Sequence, residues 1–120
     1  TIAGVYTYTN QVGYYVRIEN VVHIFARVSI SAIGTPPTGN MTISGLPFTV
    51  NDTYSAGVSF ARISHFNYTA AALDLTGSLA NNGAVIELKE SFDSGAAVNF
   101  PAASFTDTAC DLTFSGAYLI

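Results

Sequence analysis

The chain has 120 residues and a formal net charge of −4, and only 10% of its residues are charged whereas 49% are hydrophobic. One domain covering residues 1–120 is expected, because a chain of this length buries enough surface to fold without metal or disulfide. The four cations are scattered, which argues against nucleic acid as a partner, and no apolar run approaches the ~20 residues of a membrane span, so no membrane insertion is expected.

The first strands are predicted from alternating apolar residues near the N-terminus. Tyr6 and Tyr8 indicate one strand, which is expected to turn within residues 10–13. Residues 14–19 indicate the next strand, and Asn20 is expected to form the tip of a hairpin that leads into a third.

The clearest predicted strand runs from Val22 to Ala32. Apolar side chains occupy every even-numbered position of this stretch, while His23 and Phe25 belong to the odd-numbered set. An unbroken period of two over eleven residues is typical of a strand with one buried face. Phe25 is expected on the outward face, which makes it the best single candidate for a contact between subunits.

A loop, a short strand and a turn follow. Residues 34–39 contain two Pro and two Gly and predict a loop, and residues 41–44 restart the alternation. Gly45 is expected at a backbone angle that a Cβ would strain. Leu46 and Phe48 are expected to point into the core and to stabilise the turn, so the role of this segment is structural.

The second half of the chain predicts more strands of the same kind. Val58 and Phe60 open a strand whose apolar parity shifts near Ala61, and a β-bulge is the simplest account of the shift. Residues 81–83, Asn-Asn-Gly, predict a tight turn, and residues 112–120 predict the closing strand. Eight or nine strands without a helix indicate an all-β fold, an antiparallel β-sandwich of jelly-roll type.

Side chains that carry catalysis or bind metal form no recognisable motif. His23 and His65 lie far apart without a metal-ligand spacing, so no metal or other cofactor is expected. Glycoside hydrolysis needs two carboxylates that flank one bond; most of the eight acidic residues lie beside predicted turns or on polar strand faces, and the sequence alone does not show that any two meet in space. The lone Cys110 is interpreted as a small packing residue. We therefore expect no catalytic residue and no enzyme activity, with a polysaccharide-degrading domain as the minor alternative.

The candidate ligand-binding residues combine an aromatic ring with hydrogen-bonding neighbours on predicted loops. A Tyr ring can stack on the apolar face of a sugar while nearby polar groups bind its hydroxyls, although packing is the alternative role of these rings. Loops are expected to carry the site because the strand faces serve the core and the subunit contacts. The candidates are Asn51, Asp52, Tyr54, His65, Asn67, Tyr68 and Asp93.

Three stretches carry a resemblance to a known family. Residues 15–30 read YVRIENVVHIFARVSI, residues 38–49 read TGNMTISGLPFT, and residues 114–118 read FSGAY. Together they resemble the C-terminal β-sandwich domains of bacteriophage tail fibres and tailspikes, which are also met in other large DNA viruses. The distinctive parts are the ISGLPF turn and the FSGAYL ending.

The resemblance implies a homotrimer at the tip of a virion tail fibre or tailspike that acts at the host cell surface. Strand-like sequence near both ends of the chain predicts a C-terminal fragment of a longer fibrous protein. Two functions stay open: the domain is a receptor-binding module for a host-surface glycan, or it is a structural cap that only trimerises the fibre. A net charge of −4 favours a neutral or weakly cationic glycan.

Overall fold

A computed structural model describes residues 3–53 and 56–120 of the chain. These residues form eight strands and one short 3-10 turn, and no α-helix occurs among them. The strands are β1 (Tyr6–Ile18), β2 (Val21–Ile33), β3 (Thr42–Ser44), β4 (Ala56–Ser64), β5 (Asp74–Leu79), β6 (Val85–Ser91), β7 (Val98–Asn99) and β8 (Asp111–Leu119), and the 3-10 turn is Ala102–Ser104.

The strands belong to one antiparallel sheet in the order β1-β2-β8-β4-β5-β6-β3, and β7 pairs with β6 along the same edge as β3, next to it. The sheet curls, so that the inner faces of β1, β2 and β8 look toward those of β3, β5 and β6. The predicted all-β antiparallel fold is confirmed, and the curled sheet is consistent with a β-sandwich of jelly-roll type.

The core lies between the inner faces of the curled sheet. Val22 and Ile24 of β2, Leu88 of β6 and Phe114 of β8 are buried there, each on the parity that alternation assigns to the inner face. Burying one such side chain contributes roughly 1.5–3 kcal/mol. The buried thiol of Cys110 belongs to the same cluster, and its burial raises its pKa to about 12, which suits the predicted packing role.

The first strand differs from the sequence-based expectation of a turn at residues 10–13. β1 continues through these residues and pairs with β2 along its whole length, with Gly13 opposite Ala26. The register shifts on either side of Tyr8, so the irregularity is a bulge and not a reversal. A continuous partner strand supplies ladder hydrogen bonds to residues that would favour a turn in isolation.

Other local predictions are confirmed. The register between β4 and β8 shifts between Phe60 and Arg62, where the bulge was predicted. Asn82 in the turn between β5 and β6 has a φ of 54°, and Gly45 has a φ of 99°. Both angles lie in the left-handed region, which Gly and Asn adopt most readily.

Candidate functional site

The loops at one end of the curled sheet form the first candidate site. β4 ends and β8 begins at this end, since Ser64 pairs with Asp111, and β5 begins where β6 ends, since Asp74 pairs with Ser91. Three connections therefore leave the sheet on the same side. We call them together the loop end: residues 65–73, 92–97 and 105–110.

The structure divides the sequence-predicted site residues between the two ends of the sheet. Those in the loop end are His65, Asn67, Tyr68 and Asp93. Two others, Asn51 and Asp52, precede β4 and lie at the opposite end, where the Asn51 backbone N–H donates to the Leu119 carbonyl at 2.8 Å. Tyr54 lies outside the described residues. The ligand role of all seven stays a prediction.

Tyr68 presents a partly exposed ring on a buried aromatic support. Its ring centroid is 5.6 Å from that of Phe66, and Phe66 in turn lies 4.6 Å from the buried Phe100. The Tyr68 side chain is 40% exposed. Partial burial, with a smaller contribution from Asp74, raises the pKa of Tyr68, so its hydroxyl stays protonated at neutral pH and can donate a hydrogen bond. The site therefore offers an aromatic plate beside a neutral donor.

The neighbours of Tyr68 in the loop end are polar and locally tethered. The Asn67 Nδ2 donates to Thr106 Oγ1 at 3.1 Å, which ties two loops together. The His65 Nδ1 lies 2.8 Å from Ser64 Oγ. His65 and Ala71 both have positive φ angles, 53° and 72°, which non-Gly residues adopt rarely and at a cost in free energy. The loop is thus held in an uncommon backbone conformation.

The buried side chain of Glu90 on β6 holds the loop of residues 65–73 by a hydrogen bond. Its carboxylate is 1% exposed and accepts a hydrogen bond of 2.6 Å from the Thr69 backbone amide. Glu90 was not among the residues predicted for the site, although it shares the buried parity of Ile86 and Leu88 and could have been identified by it. A carboxylate on that face needs an internal partner, and the loop amide provides one.

At the opposite end of the sheet, hydrogen bonds hold Asn51 and Asp52 in a turn. Asn51 Oδ1 accepts a hydrogen bond from the Thr53 amide at 2.8 Å, which closes an Asx turn. The Asp52 carbonyl accepts one from Asn81 Nδ2 at 3.2 Å. Both residues take part in holding the turn between β5 and β6 against the end of β8.

The second candidate surface is the outer face, which we define as the outward-facing side chains of β1, β2, β8 and β4. Tyr14 and Phe25 lie side by side on β1 and β2, and they are 71% and 52% exposed. A depression of about 320 Å³ adjoins them, with Ala61 and Thr113 also in its lining. Further exposed apolar side chains extend the patch along β1: Val12, Val16 and Ile18.

An ion cluster lies on the outer face beside this patch. The Asp111 carboxylate accepts hydrogen bonds from Arg27 Nη2 at 2.9 Å and from Ser29 Oγ at 2.7 Å, and Arg62 Nε lies 3.3 Å away. The bond from Arg27 and the bond from Ser29 lower the pKa of Asp111 to about 2, against an ordinary value of 3.8. No local sequence signal points to this cluster, because its members lie on three strands that are distant in the chain.

Within residues 3–53 and 56–120, no group of three or more His, Cys, Asp or Glu side chains could hold a metal ion. Over the same residues, no helix is long and apolar enough to cross a bilayer.

Comparison with known proteins identifies a shared fold. No family model and no curated protein matches the chain. Among solved structures, the fold is similar to that in the crystal structure of Dettilon tailspike protein (gp208), with a TM-score of 0.77 and 18% sequence identity. The likeness covers 97% of this chain and 21% of that one, so the chain spans about a fifth of that protein's length. At this identity the likeness establishes the fold alone.

Proposed function

We propose that this chain is a receptor-binding domain of a homotrimeric viral tail fibre or tailspike, and that its loop end binds a neutral host-surface glycan. The observation that carries the proposal is the Tyr68 ring, supported by Phe66 and exposed among polar neighbours, on a fold shared with a tailspike protein. The domain acts at the tip of the virion tail and binds without catalysis.

The chemistry of the loop end suits a sugar. A pyranose has an apolar face that stacks on a Tyr ring and hydroxyls that bond to amide, carboxylate and phenol groups. Asp74, Asp93 and Asp107 lie in or beside these loops, and residues 65–73, 92–97 and 105–110 contain no Lys or Arg. A strongly acidic glycan would be repelled there, which favours a neutral or weakly cationic one.

Assembly into a trimer would compensate for the weak affinity expected of a single site of this kind. Three copies joined through the outer face would carry three loop ends, and simultaneous contact raises the avidity far above the affinity of one site. The exposed apolar patch around Phe25 is the part of the outer face that such an assembly would cover.

The test is binding of the purified assembly to host cells and to a glycan array. Tyr68→Ala is expected to weaken binding about tenfold or more, since an aromatic contact contributes roughly 0.5–1.5 kcal/mol at each site and three sites act together. Tyr68→Phe keeps the ring and is expected to retain most of the binding. Asp52→Asn, at the opposite end, is the matched control and is expected to bind as wild type. Weaker binding by Asp52→Asn together with unchanged binding by Tyr68→Ala would contradict the proposal, because the binding site would then lie at the end of the sheet opposite the loop end.

The second candidate function is a structural cap that trimerises the fibre without a ligand. The exposed patch on the outer face favours it, because that patch needs a covering partner whether or not the loops bind a sugar. Unchanged adsorption in both Tyr68→Ala and Asp52→Asn, together with loss of assembly in an outer-face variant, would favour this function over the first.

A further inference from the structure

A cavity of about 550 Å³ lies inside the curled sheet, and it adjoins the loop end through Phe105 and the outer face through Tyr14 and Phe25. It is lined by the inner faces of strands from both halves of the sheet, including Ala26 and Val28 of β2, Ile43 of β3, Ile86 of β6 and Leu112 of β8. Its volume falls within the range of about 300–1,000 Å³ that is typical of small-molecule sites.

The cavity reaches solvent between the two strands that end the sheet. β1 and β3 lie at opposite ends of the strand order and do not pair with each other, yet residues of both line the cavity. The lining residues at this rim are exposed on both sides: Gln11 and Tyr15 on β1, and Thr42 and Ser44 on β3. The opening is therefore bordered by hydroxyl and amide groups, while the interior is aliphatic and aromatic.

Space over Gly13 shows that the inner face of β1 is not packed against the opposite wall. A Cβ built on Gly13 would have Ala26 Cβ as its nearest neighbour, at 4.0 Å, which is ordinary van der Waals contact. Gly13 lies opposite Ala26 in the β1–β2 ladder, and both line the cavity. Protein interiors are normally close-packed, so open space beside an inward-facing position has to be filled by solvent or by a ligand.

We propose that this cavity is a binding site for a neutral, mostly apolar small molecule that enters between β1 and β3. No Asp, Glu, Lys, Arg or His side chain of the described residues lines it, so a charged group would be desolvated inside without a partner. An apolar body would contact the walls, and one uncharged polar group would bond at the rim to Gln11, Thr42 or Ser44. The residues proposed to bind glycan in the loop end, Asn67, Tyr68 and Asp93, do not line this cavity.

The test uses N-phenyl-1-naphthylamine, a neutral apolar dye whose fluorescence rises on leaving water, added to the intact protein. Wild type is expected to bind saturably at about one dye per chain, and 1-decanol is expected to displace it. Gly13→Phe places a ring in the cavity from β1 and is expected to weaken dye binding at least tenfold. Ala26→Leu fills the cavity from β2 and serves as a second variant if Gly13→Phe does not fold. Ser78→Phe adds the same ring on the outward face of β5 and is expected to bind as wild type.

Thermal unfolding separates occupancy of the cavity from surface adsorption. A ligand that binds only the folded state raises the melting temperature, so decanol is expected to stabilise wild type and Ser78→Phe but not Gly13→Phe. The anionic dye 8-anilinonaphthalene-1-sulfonate is expected to bind at least tenfold more weakly than the neutral dye. Absence of dye binding in wild type, equal binding by Gly13→Phe, or equal affinity for the two dyes would each overturn the proposal. The first of these results is the one expected if a second copy of the chain fills the cavity.

Discussion

Arg27 and Asp111 form a two-bond ion pair across the β2–β8 ladder, although 84 residues separate them in the chain. The guanidinium Nε and Nη2 lie 3.1 and 2.9 Å from the two carboxylate oxygens. Two parallel bonds fix the relative position of the two side chains more strictly than one bond would. The pair therefore helps to set the register of β8, the strand that joins β2 to β4.

Acid should remove the contribution of this pair to stability. The folded state lowers the pKa of Asp111 from 3.8 to about 2, so the folded chain binds the Asp111 proton less readily than the unfolded chain does. The stabilisation is complete above pH 3.8 and is lost as the pH falls toward about 2. Asp111→Asn is expected to unfold at a lower urea concentration than wild type at neutral pH, and the difference should shrink as the pH falls through about 2. A difference that persists unchanged at that pH would contradict the role of the ionised carboxylate.

Phe25→Glu should disrupt assembly without unfolding the chain. The ring is half exposed in one chain, and covering it would remove roughly 100 Å² of apolar surface from water, about 2–3 kcal/mol per copy. A charge at that position would lose this gain and would have to be desolvated. Light scattering is expected to show an oligomer for wild type and a monomer for the variant, with an unchanged β-sheet spectrum. Ser78→Glu on β5 is the control and should stay assembled, and a Phe25→Glu oligomer of wild-type size would place the interface elsewhere.

Phe48→Ala should lower stability, because Phe48 holds β1 against the turn that follows β3. Its ring lies 5.6 Å from the Tyr15 ring and 5.0 Å from the Arg17 guanidinium carbon, and its backbone bonds to the Tyr118 hydroxyl. We expect a loss of about 2–4 kcal/mol in the free energy of unfolding, since the ring is only partly buried. The measurement is urea unfolding with Leu73→Ala, 67% exposed, as the neutral control. A wild-type melting temperature combined with lost attachment to host cells would mean that Phe48 binds the ligand.

Two glycines in the sheet should respond in opposite ways to an added methyl group. A Cβ on Gly116 would lie 2.7 Å from the Gly57 carbonyl oxygen and 3.2 Å from Val58 Cα, and backbone atoms cannot move aside cheaply. Gly116→Ala is therefore expected to cost about 1–3 kcal/mol. Gly13→Ala meets nothing closer than 4.0 Å and should be neutral or slightly stabilising, because alanine restricts the unfolded chain. The melting temperatures of the two variants test this difference. An equal loss of stability in both would show that the inner face of β1 at Gly13 is closely packed.

Period-two alternation could predict the face of the sheet on which a residue lies, but not which strands become neighbours. It placed Val22 and Ile24 inside, Phe25 outside and a bulge near Ala61, all as observed. The alternation of β8 does not say that β8 lies between β2 and β4. The Arg27–Asp111 pair depends on that neighbour relation, so it could not be predicted from periodicity.

The candidate site, like the strand order, could be predicted from the sequence only in part. The loops with an aromatic ring and polar neighbours were identified, but nothing in the sequence placed Asn51 and Tyr68 at opposite ends of the sheet. Their separation follows from the direction of β4, which runs from one loop to the other. The turn predicted at residues 10–13 was wrong for a related reason, because local turn preference there is weaker than the ladder that β2 offers.

The central place of β8 has a consequence for the order in which the chain is made. β2 can pair with β1 and β4 with β5 as soon as those strands are made, but the second edge of β2 and of β4 stays unpaired until residues 111–119 have been synthesised. At about 5–20 residues per second, these two strand edges stay unpaired for several seconds. A chain interrupted before Asp111 keeps both edges unpaired, so we expect it to aggregate or to be degraded rather than to join an assembly.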